Sequence, residues 1–298
     1  MNVRPLTVED APAVARLIAA DEEALRGRPS RVRPSDLEAW WARTDLAGDS
    51  WLFEEDGAPA AVGWFELYGT IGTHVGVVAQ GAKGRGLGSA LVGRGEEAAG
   101  RREAEKIHSW VPPEDAAAVA LFEARGYREV RRFYDMAIEL DAEPIVPELP
   151  APLVLEPYRE EDARAFHAAM IESFQDHWEW HGTPFDEWHE LRRGQHADAD
   201  GPLWFVVRDG DELAAVVRNE TNRGGGGFVG LLGVRRQWRG RGLGKALLYR
   251  TFAEFWRRGV PRVSLGVDAD SPTGATKLYE SVGMEVEAVS AVYEKVEA

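Results

Sequence analysis

Cysteine is absent from the 298 residues. That excludes disulfides, thiolate metal sites and a cysteine nucleophile, and no metal centre is expected. Lysine is nearly missing too, with 5 residues against 30 arginines, a skew that reads as genomic bias rather than function. No apolar run approaches the ~18–20 residues of a membrane span, so no membrane partner is expected. The opening Met1-Asn2-Val3-Arg4-Pro5-Leu6 lacks the basic-then-apolar build of a secretory signal, which points to the cytoplasm. Positive charge is also in deficit: 35 Lys plus Arg face 50 Asp plus Glu, for a net charge of −15. Residues 1–150 hold 17 basic and 26 acidic groups and the remainder 18 and 24, so both halves are acidic. Nucleic acid is thereby excluded as the main partner, because phosphate binding needs a basic footprint. A cationic small molecule remains compatible.

What is present points to two domains. With 44% hydrophobic residues and 11 tryptophans, each half can bury a sizeable core. At about 150 residues per domain the length itself suggests two. The stretch 141–152 carries Pro144, Pro147, Pro150 and Pro152, suited to an extended connector and to neither helix nor central strand. The two sides of it repeat each other. Arg4-Pro5-Leu6-Thr7-Val8-Glu9-Asp10-Ala11 answers to Glu156-Pro157-Tyr158-Arg159-Glu160-Glu161-Asp162-Ala163. Lys83-Gly84-Arg85-Gly86-Leu87-Gly88 answers to Arg239-Gly240-Arg241-Gly242-Leu243-Gly244, at an offset of 156. Leu121-Phe122-Glu123-Ala124-Arg125-Gly126 answers to Leu278-Tyr279-Glu280-Ser281-Val282-Gly283, at an offset of 157. Matches that keep their order while the offset drifts by only a few residues mark a duplicated domain. The expected organisation is a first domain at 1–141, a linker at 142–152 and a second domain at 153–298. Strands and helices alternate within each copy, which predicts an α/β class, an α+β sandwich with a central mixed sheet flanked by helices.

The chemistry concentrates in the glycine-rich turn. In Val234-Arg235-Arg236-Gln237-Trp238-Arg239-Gly240-Arg241-Gly242-Leu243-Gly244-Lys245, an apolar strand turns through spaced glycines directly into a helix. Glycines let the backbone approach a ligand, and the N–H groups of the first helical turn point at an anion. Arg239, Arg241 and Lys245 add local positive charge to an acidic chain, so a pyrophosphate is the natural guest. Taken alone, such a turn also serves as a plain connection. It is neither a nucleotide-kinase loop, since no Gly-Lys-Ser/Thr follows, nor a dinucleotide fingerprint in a first βαβ unit.

On these residues the sequence resembles the GNAT superfamily of acyl-CoA-dependent N-acyltransferases. Arg239, Gly242 and Gly244 meet its Gln/Arg-x-x-Gly-x-Gly/Ala motif. Leu278-Tyr279-Glu280-Ser281-Val282-Gly283 meets its Leu-Tyr-Glu-x-x-Gly helix, and Ser271 stands on the approach to that helix where Asn is common. The resemblance implies acetyl-CoA as co-substrate and direct attack by a primary amine of a small molecule. The pantetheine arm would lie in a splay between two central strands along Leu232, Gly233 and Val234. Arg239, Gly240, Arg241, Gly242, Leu243, Gly244 and Lys245 would hold the pyrophosphate. A strand N–H near Val234 would stabilise developing oxyanion charge, and Tyr279 would protonate the departing thiolate. In the first copy Val78, Lys83, Gly84, Arg85, Gly86, Leu87 and Gly88 would offer a second CoA cradle, but Phe122 replaces the tyrosine. Catalysis is therefore expected in the second copy, with the first degenerate.

The carboxylate that many members carry on the strand before the loop is missing from Gly227-Phe228-Val229-Gly230-Leu231-Leu232-Gly233-Val234. Candidate general bases are Glu220 and, in the tryptophan-rich stretch after the first helix, Asp176 and His177. His74, on the matching strand of the first copy, reads as structural. The tandem arrangement also resembles that of mycothiol synthases, which acetylate a cysteinyl pseudodisaccharide, although Gly224-Gly225-Gly226-Gly227 fills a region where substrate-facing side chains are expected. A non-catalytic acyl-CoA-binding module is the alternative from another class. A monomer or homodimer is expected.

Overall fold

In the computed structural model, which describes residues 1–42, 44–223 and 225–296 (the side chain of Asn222 excepted), the chain runs twice through one series of elements. The first pass comprises β1 (Asn2–Arg4), α1 (Ala11–Arg26), α2 (Pro34–Trp41), α3 (Leu46–Asp49), β2 (Ser50–Glu55), β3 (Ala58–Tyr68), β4 (Ile71–Val78), α4 (Leu87–Arg101), β5 (Lys106–Val111), α5 (Ala116–Ala124) and β6 (Arg128–Glu139). The second comprises β7 (Leu153–Pro157), α6 (Ala163–Phe174), α7 (Phe185–Arg192), β8 (Ala197–Asp198), β9 (Gly201–Pro202), β10 (Phe205–Asp209), β11 (Glu212–Arg223), β12 (Gly226–Val234), α8 (Leu243–Arg257), β13 (Arg262–Asp268), α9 (Ala275–Glu280) and β14 (Glu285–Val296).

The duplication extends to local devices. Asp10 accepts from the Thr7 N–H at 2.8 Å and Asp162 from the Arg159 N–H at 3.3 Å, each opening the first helix of its pass. Arg4 holds the first of these carboxylates at 2.7 Å and Arg208 the second at 2.9 Å. Helix faces follow the expected spacing. On α8, Leu243, Leu247, Leu248, Thr251, Phe252 and Phe255 form one buried stripe. Each large apolar side chain so buried contributes about 1.5–3 kcal/mol. No helix among the described residues is long and apolar enough to cross a membrane.

Two compact units divide the chain: Met1–Phe133 with Val289–Ala298, and Tyr134–Ala288. This differs from the division at 142–152 read from the sequence. The proline-rich stretch lies inside the second unit, while the end of β14 pairs with β5 in the first, from Ala291↔Val111 to Val296↔Lys106. The latter part of β6 belongs to the second unit, where Met136 is fully buried. Prolines mark where a chain cannot be regular, but they carry no information on which of two related sheets takes a terminal strand.

Within the first unit the strand order is β1-β2-β3-β4-β5-β14, with β4 and β5 parallel. In the second it is β7-β10-β11-β12-β13-β6, with β12 and β13 parallel. Each unit is thus a mixed sheet with helices packed on it, as the alternation of elements predicts. In the second unit α6 and α8 both pack on β11 and β12.

Candidate active site

The second unit's site grows out of an irregularity in β12. Its register against β11 runs from Val234↔Ala215 to Leu231↔Arg218 and resumes at Val229↔Asn219, leaving Gly230 as an extra, bulged residue. The bulge changes which face the side chains take. A side chain at Gly227 would strike the Phe255 ring of α8, whereas one at Gly233 would strike Ser173 of α6. Six residues apart in a regular strand, both would face the same way. On its other edge β12 is in register with β13 at Gly227↔Val263 and Phe228↔Ser264, and the two strands then part. Residues 229–234 therefore border a splay.

The loop beyond Val234 is shaped by two glycines in the left-handed region, Gly240 at φ +75° and Gly242 at φ +79°. Side chains there would cost about 1–2 kcal/mol each. Arg239 clips the loop to the sheet: its Nε donates to the Val234 carbonyl at 3.1 Å and its Nη2 to the Ser173 carbonyl at 3.3 Å. Gly242 is the N-cap of α8, so the N–H groups of the next residues are directed outward at the helix's positive end. At Gly244 a Cβ would lie 2.9 Å from Leu278 Cδ2, so glycine is what lets α9 close on α8.

Loop, splay and helices enclose a cavity of about 310 Å³. Leu232, Gly233 and Val234 of β12 form one wall, and Arg239, Gly240, Gly242, Leu243, Gly244 and Lys245 the next. Leu278 and Tyr279 of α9 close it opposite, with Ser173 and His177 from α6 and the segment after it. Tyr279 is buried, and burial pushes its phenol up to about 12, so it stays protonated at neutral pH. His177 packs against Phe174 with ring centroids 4.4 Å apart and the planes tilted by 36°.

Not all expected residues meet there. Arg241 donates to the Gln237 carbonyl at 3.3 Å on the exposed side of the loop. Ser271 bonds Thr273 at 2.9 Å, and Thr273 and Gly274 are the ones that reach the cavity. Asp176 is held by Arg236 and lies away from the lining. Glu220, opposite Phe228 on β11, is clasped by Arg218 on one oxygen and by Arg223 at 3.3 Å on the other. Burial alone would raise its pKa, but the two guanidinium groups outweigh burial and lower it, which weakens it as a base. Sequence reasoning missed Ser173 and Trp238 in the lining. The tryptophan's conversion into a wall depends on its Nε1 bond to Asp209 at 2.8 Å, a distant partner no motif announces. Of the four-glycine run, Gly224 lies outside the described residues. Gly226 and Gly227 are packing positions, since side chains there would strike the Arg262 backbone and Phe255.

The matching loop of the first unit keeps its shape, with Gly84 at φ +76° and Gly86 at φ +83°. Its cations are occupied by carboxylates: Lys83 by Asp21 at 2.8 Å and Asp115 at 3.1 Å, Arg85 by Glu55 at 2.6 Å. Phe122, in the tyrosine's place, packs on Tyr127 and Tyr293.

Comparison with known proteins agrees with this geometry. The profile of the Acetyltransferase (GNAT) family matches residues 13–127 and again 160–284. A mycothiol acetyltransferase of Actinosynnema mirum is 30% identical over 299 residues, covering 93% of each chain. Another, from Renibacterium salmoninarum, is 29% identical over 246 residues, 80% of this chain and 68% of its own. Among solved structures, a GCN5-related N-acetyltransferase from Sphaerobacter thermophilus superposes with a TM-score of 0.88 at 32% identity, covering 99% of this chain and 95% of its own. A tandem GNAT protein from the clavulanic acid biosynthesis pathway gives a TM-score of 0.77 at 18% identity, with 99% and 98% covered, a likeness of fold alone.

Proposed function

The chain belongs to the GNAT family of acetyltransferases, and from that premise we propose that its second unit moves an acetyl group from acetyl-CoA to a primary amine of a small molecule. The observation that carries this reading is the cavity in which the glycine loop, the start of α8, the splayed edge of β12 and Tyr279 converge. Acetyl-CoA supplies the activated thioester. The N–H groups at the start of α8 and the Gly240–Gly242 backbone hold its pyrophosphate. Arg239 acts mainly by fixing the loop, since its donors are spent on two carbonyls. The edge of β12 that faces away from β11 offers backbone to the pantetheine amides and to the charge that develops on the carbonyl oxygen. In the transfer a C–N bond forms, the C–S bond breaks, the amine loses a proton, and Tyr279 gives its proton to the departing sulfur. Its raised pKa suits an acid at neutral pH. His177, the one base candidate that lines the cavity, is the group we assign to the amine proton, directly or through water.

The test is release of CoA thiol from acetyl-CoA with a panel of amines. Amine-dependent release, strongly reduced in Tyr279→Phe with CoA affinity retained, supports the reading. Tight CoA binding without release for any amine overturns it in favour of a binding module. A second reading of the acceptor, the cysteinyl pseudodisaccharide, is favoured by the relatives that carry the mycothiol acetyltransferase name. Turnover of that compound to the exclusion of other amines would establish it.

A further inference from the structure

The bulge of β12 carries a feature that the donor cavity does not use. Gly230 has no side chain, and a charged pair occupies the space one would take: a Cβ there would lie 2.7 Å from Glu220 Oε1, 3.0 Å from Arg218 Nη2 and 3.1 Å from Arg218 Cζ. Arg218 Nη2 donates to the Gly230 carbonyl at 3.3 Å, and Nη1 to Glu220. Arg223 takes the second oxygen of Glu220 and lies with its guanidinium 3.9 Å over the Phe228 ring. Arg192 of α7, which donates to Gln195 at 3.3 Å, is close enough to act on Arg218 electrostatically. Two guanidinium groups thus share one carboxylate, with the charge of a third nearby.

That balance is costly without a further anion. The Arg218 side chain is 11% exposed, and a cation so largely desolvated needs compensation that one shared carboxylate supplies incompletely. Burial weakens its hold on the proton, and the neighbouring arginine charges add to this. The whole chain is acidic at −15, so this cluster is a local reversal of sign. It lies on β11, opposite the bulge of β12, the strand whose other edge borders the donor cavity. The guanidinium fork is the side chain best matched to carboxylate or phosphate geometry.

We propose that the acceptor amine carries an anionic group, a carboxylate or a phosphate, which Arg218 receives at the bulge of β12 with Arg223 beside it. Glu220 then serves as the resident counter-ion that holds the two arginines ready, and not as the base. The inference rests on the acetyl-transfer reading above and narrows its substrate class.

The experiment compares matched acceptors with the full-length protein: amino acids against their carboxamides, and hexosamines against their phosphate esters. In the wild type at least one anionic member should exceed its neutral partner about tenfold in kcat/KM, the size expected for one charge-assisted contact. The pair that shows it tells carboxylate from phosphate. In Arg218→Met the ratio should fall to about one with KM for acetyl-CoA unchanged, and Arg218→Lys should restore part of it. Should Arg218→Met fail to fold, the more exposed Arg223→Gln should still lower the ratio, by about two- to fourfold. Equal use of neutral partners overturns the proposal while leaving acetyl transfer standing. So does an undiminished preference in the arginine variants, or a neutral cysteinyl pseudodisaccharide that outperforms every anionic amine. Calorimetry in the presence of CoA separates the two readings if no amine turns over. Tighter binding of anionic amines that is lost in Arg218→Met overturns acetyl transfer but keeps Arg218 as the site of an anionic group. Equal binding of both members overturns this one as well.

Discussion

The strand and loop at 71–88 and those at 227–244 descend from one template and now differ in access rather than in loop shape. The glycines hold the same backbone angles in both. What separates the units is the sheet. β4 pairs with β3 in register from Ile71↔Tyr68 to Val78↔Ala61, where β12 has its bulge. At the offset of 156, His74 stands where the second unit has Gly230. β4 stays paired with β5 through His74↔Ser109, four residues short of Val78, whereas β12 leaves β13 at Phe228, six residues short of Val234. The first unit's splay is therefore shorter. There the buried His74 packs on α4, and a side chain at Gly95 would clash with it at 2.5 Å. A phosphate loop is a backbone object that survives drift, because its glycines also serve the turn. The opening beside it depends on strand register and is lost by one regularised pairing.

That contrast can be broken at several points. Tyr279→Phe should lower kcat about 10³-fold, the range of a lost general acid, with CoA affinity unchanged. Phe122→Tyr should confer nothing, and activity appearing in that variant would sink the asymmetry. Because Tyr279 keeps its proton up to about 12, a fall in kcat at mildly alkaline pH that vanishes in Tyr279→Phe would contradict its role.

Next in size is a stability effect confined to the closed site. Burial lowers His74 to about 4, so between its ordinary pKa and that value the unfolded chain takes a proton that the folded unit refuses. Its contribution is intact above pH ~6.5 and falls by about 3 kcal/mol as pH drops toward 4. Thermal melts across this range should show the decline, and His74→Gln should flatten it. An unchanged slope would mean that the imidazole is not sealed in.

The loops themselves give the third comparison. Gly242→Val should cost about 10²-fold in kcat/KM by displacing the loop, while Gly86→Val, equally strained, should leave turnover within about twofold. Calorimetry should find one CoA per chain. Equal losses, or two CoA molecules bound, would return the first unit to function. The smallest effect is at Asp115, which caps α5 through the Ala118 N–H at 3.0 Å and neutralises Lys83. Asp115→Ala should lower stability by about 1 kcal/mol. Burial would raise the Asp115 pKa, but the Ala118 N–H and Lys83 hold it below the usual range, so the contribution is present above that range and lost on acidification.

Much of this was legible in the residues. The helix stripes and the glycine loop follow from short-range spacing, the duplication from matches about 150 residues apart, and Tyr279 from the resemblance of its helix to the family motif. The stripe, the loop and Tyr279 lie where these readings put them. The bulge was not legible, because Gly226, Gly227, Gly230 and Gly233 have no side chains whose alternation would reveal a slipped register. Glu220 was readable as a carboxylate near the site, but not as the partner of two arginines two and three residues away, since ion pairing across a strand end depends on the bulge. Asp176 and His177, adjacent in sequence, part company because one faces Arg236 and the other the cavity.

The exchange of terminal strands bears on how such a chain is made and kept. During synthesis the first unit must wait for Ala291–Val296, which follow the whole of the second unit in sequence, before these residues can pair with β5. N-terminal domains ordinarily fold as soon as they leave the ribosome, and here that order is denied. The second unit meanwhile draws Tyr134–Glu139 from ahead of the proline-rich stretch, so a gene shortened to its later half would encode a sheet lacking a strand. Each copy is in this way protected from deletion, because neither half of the gene specifies a finished unit.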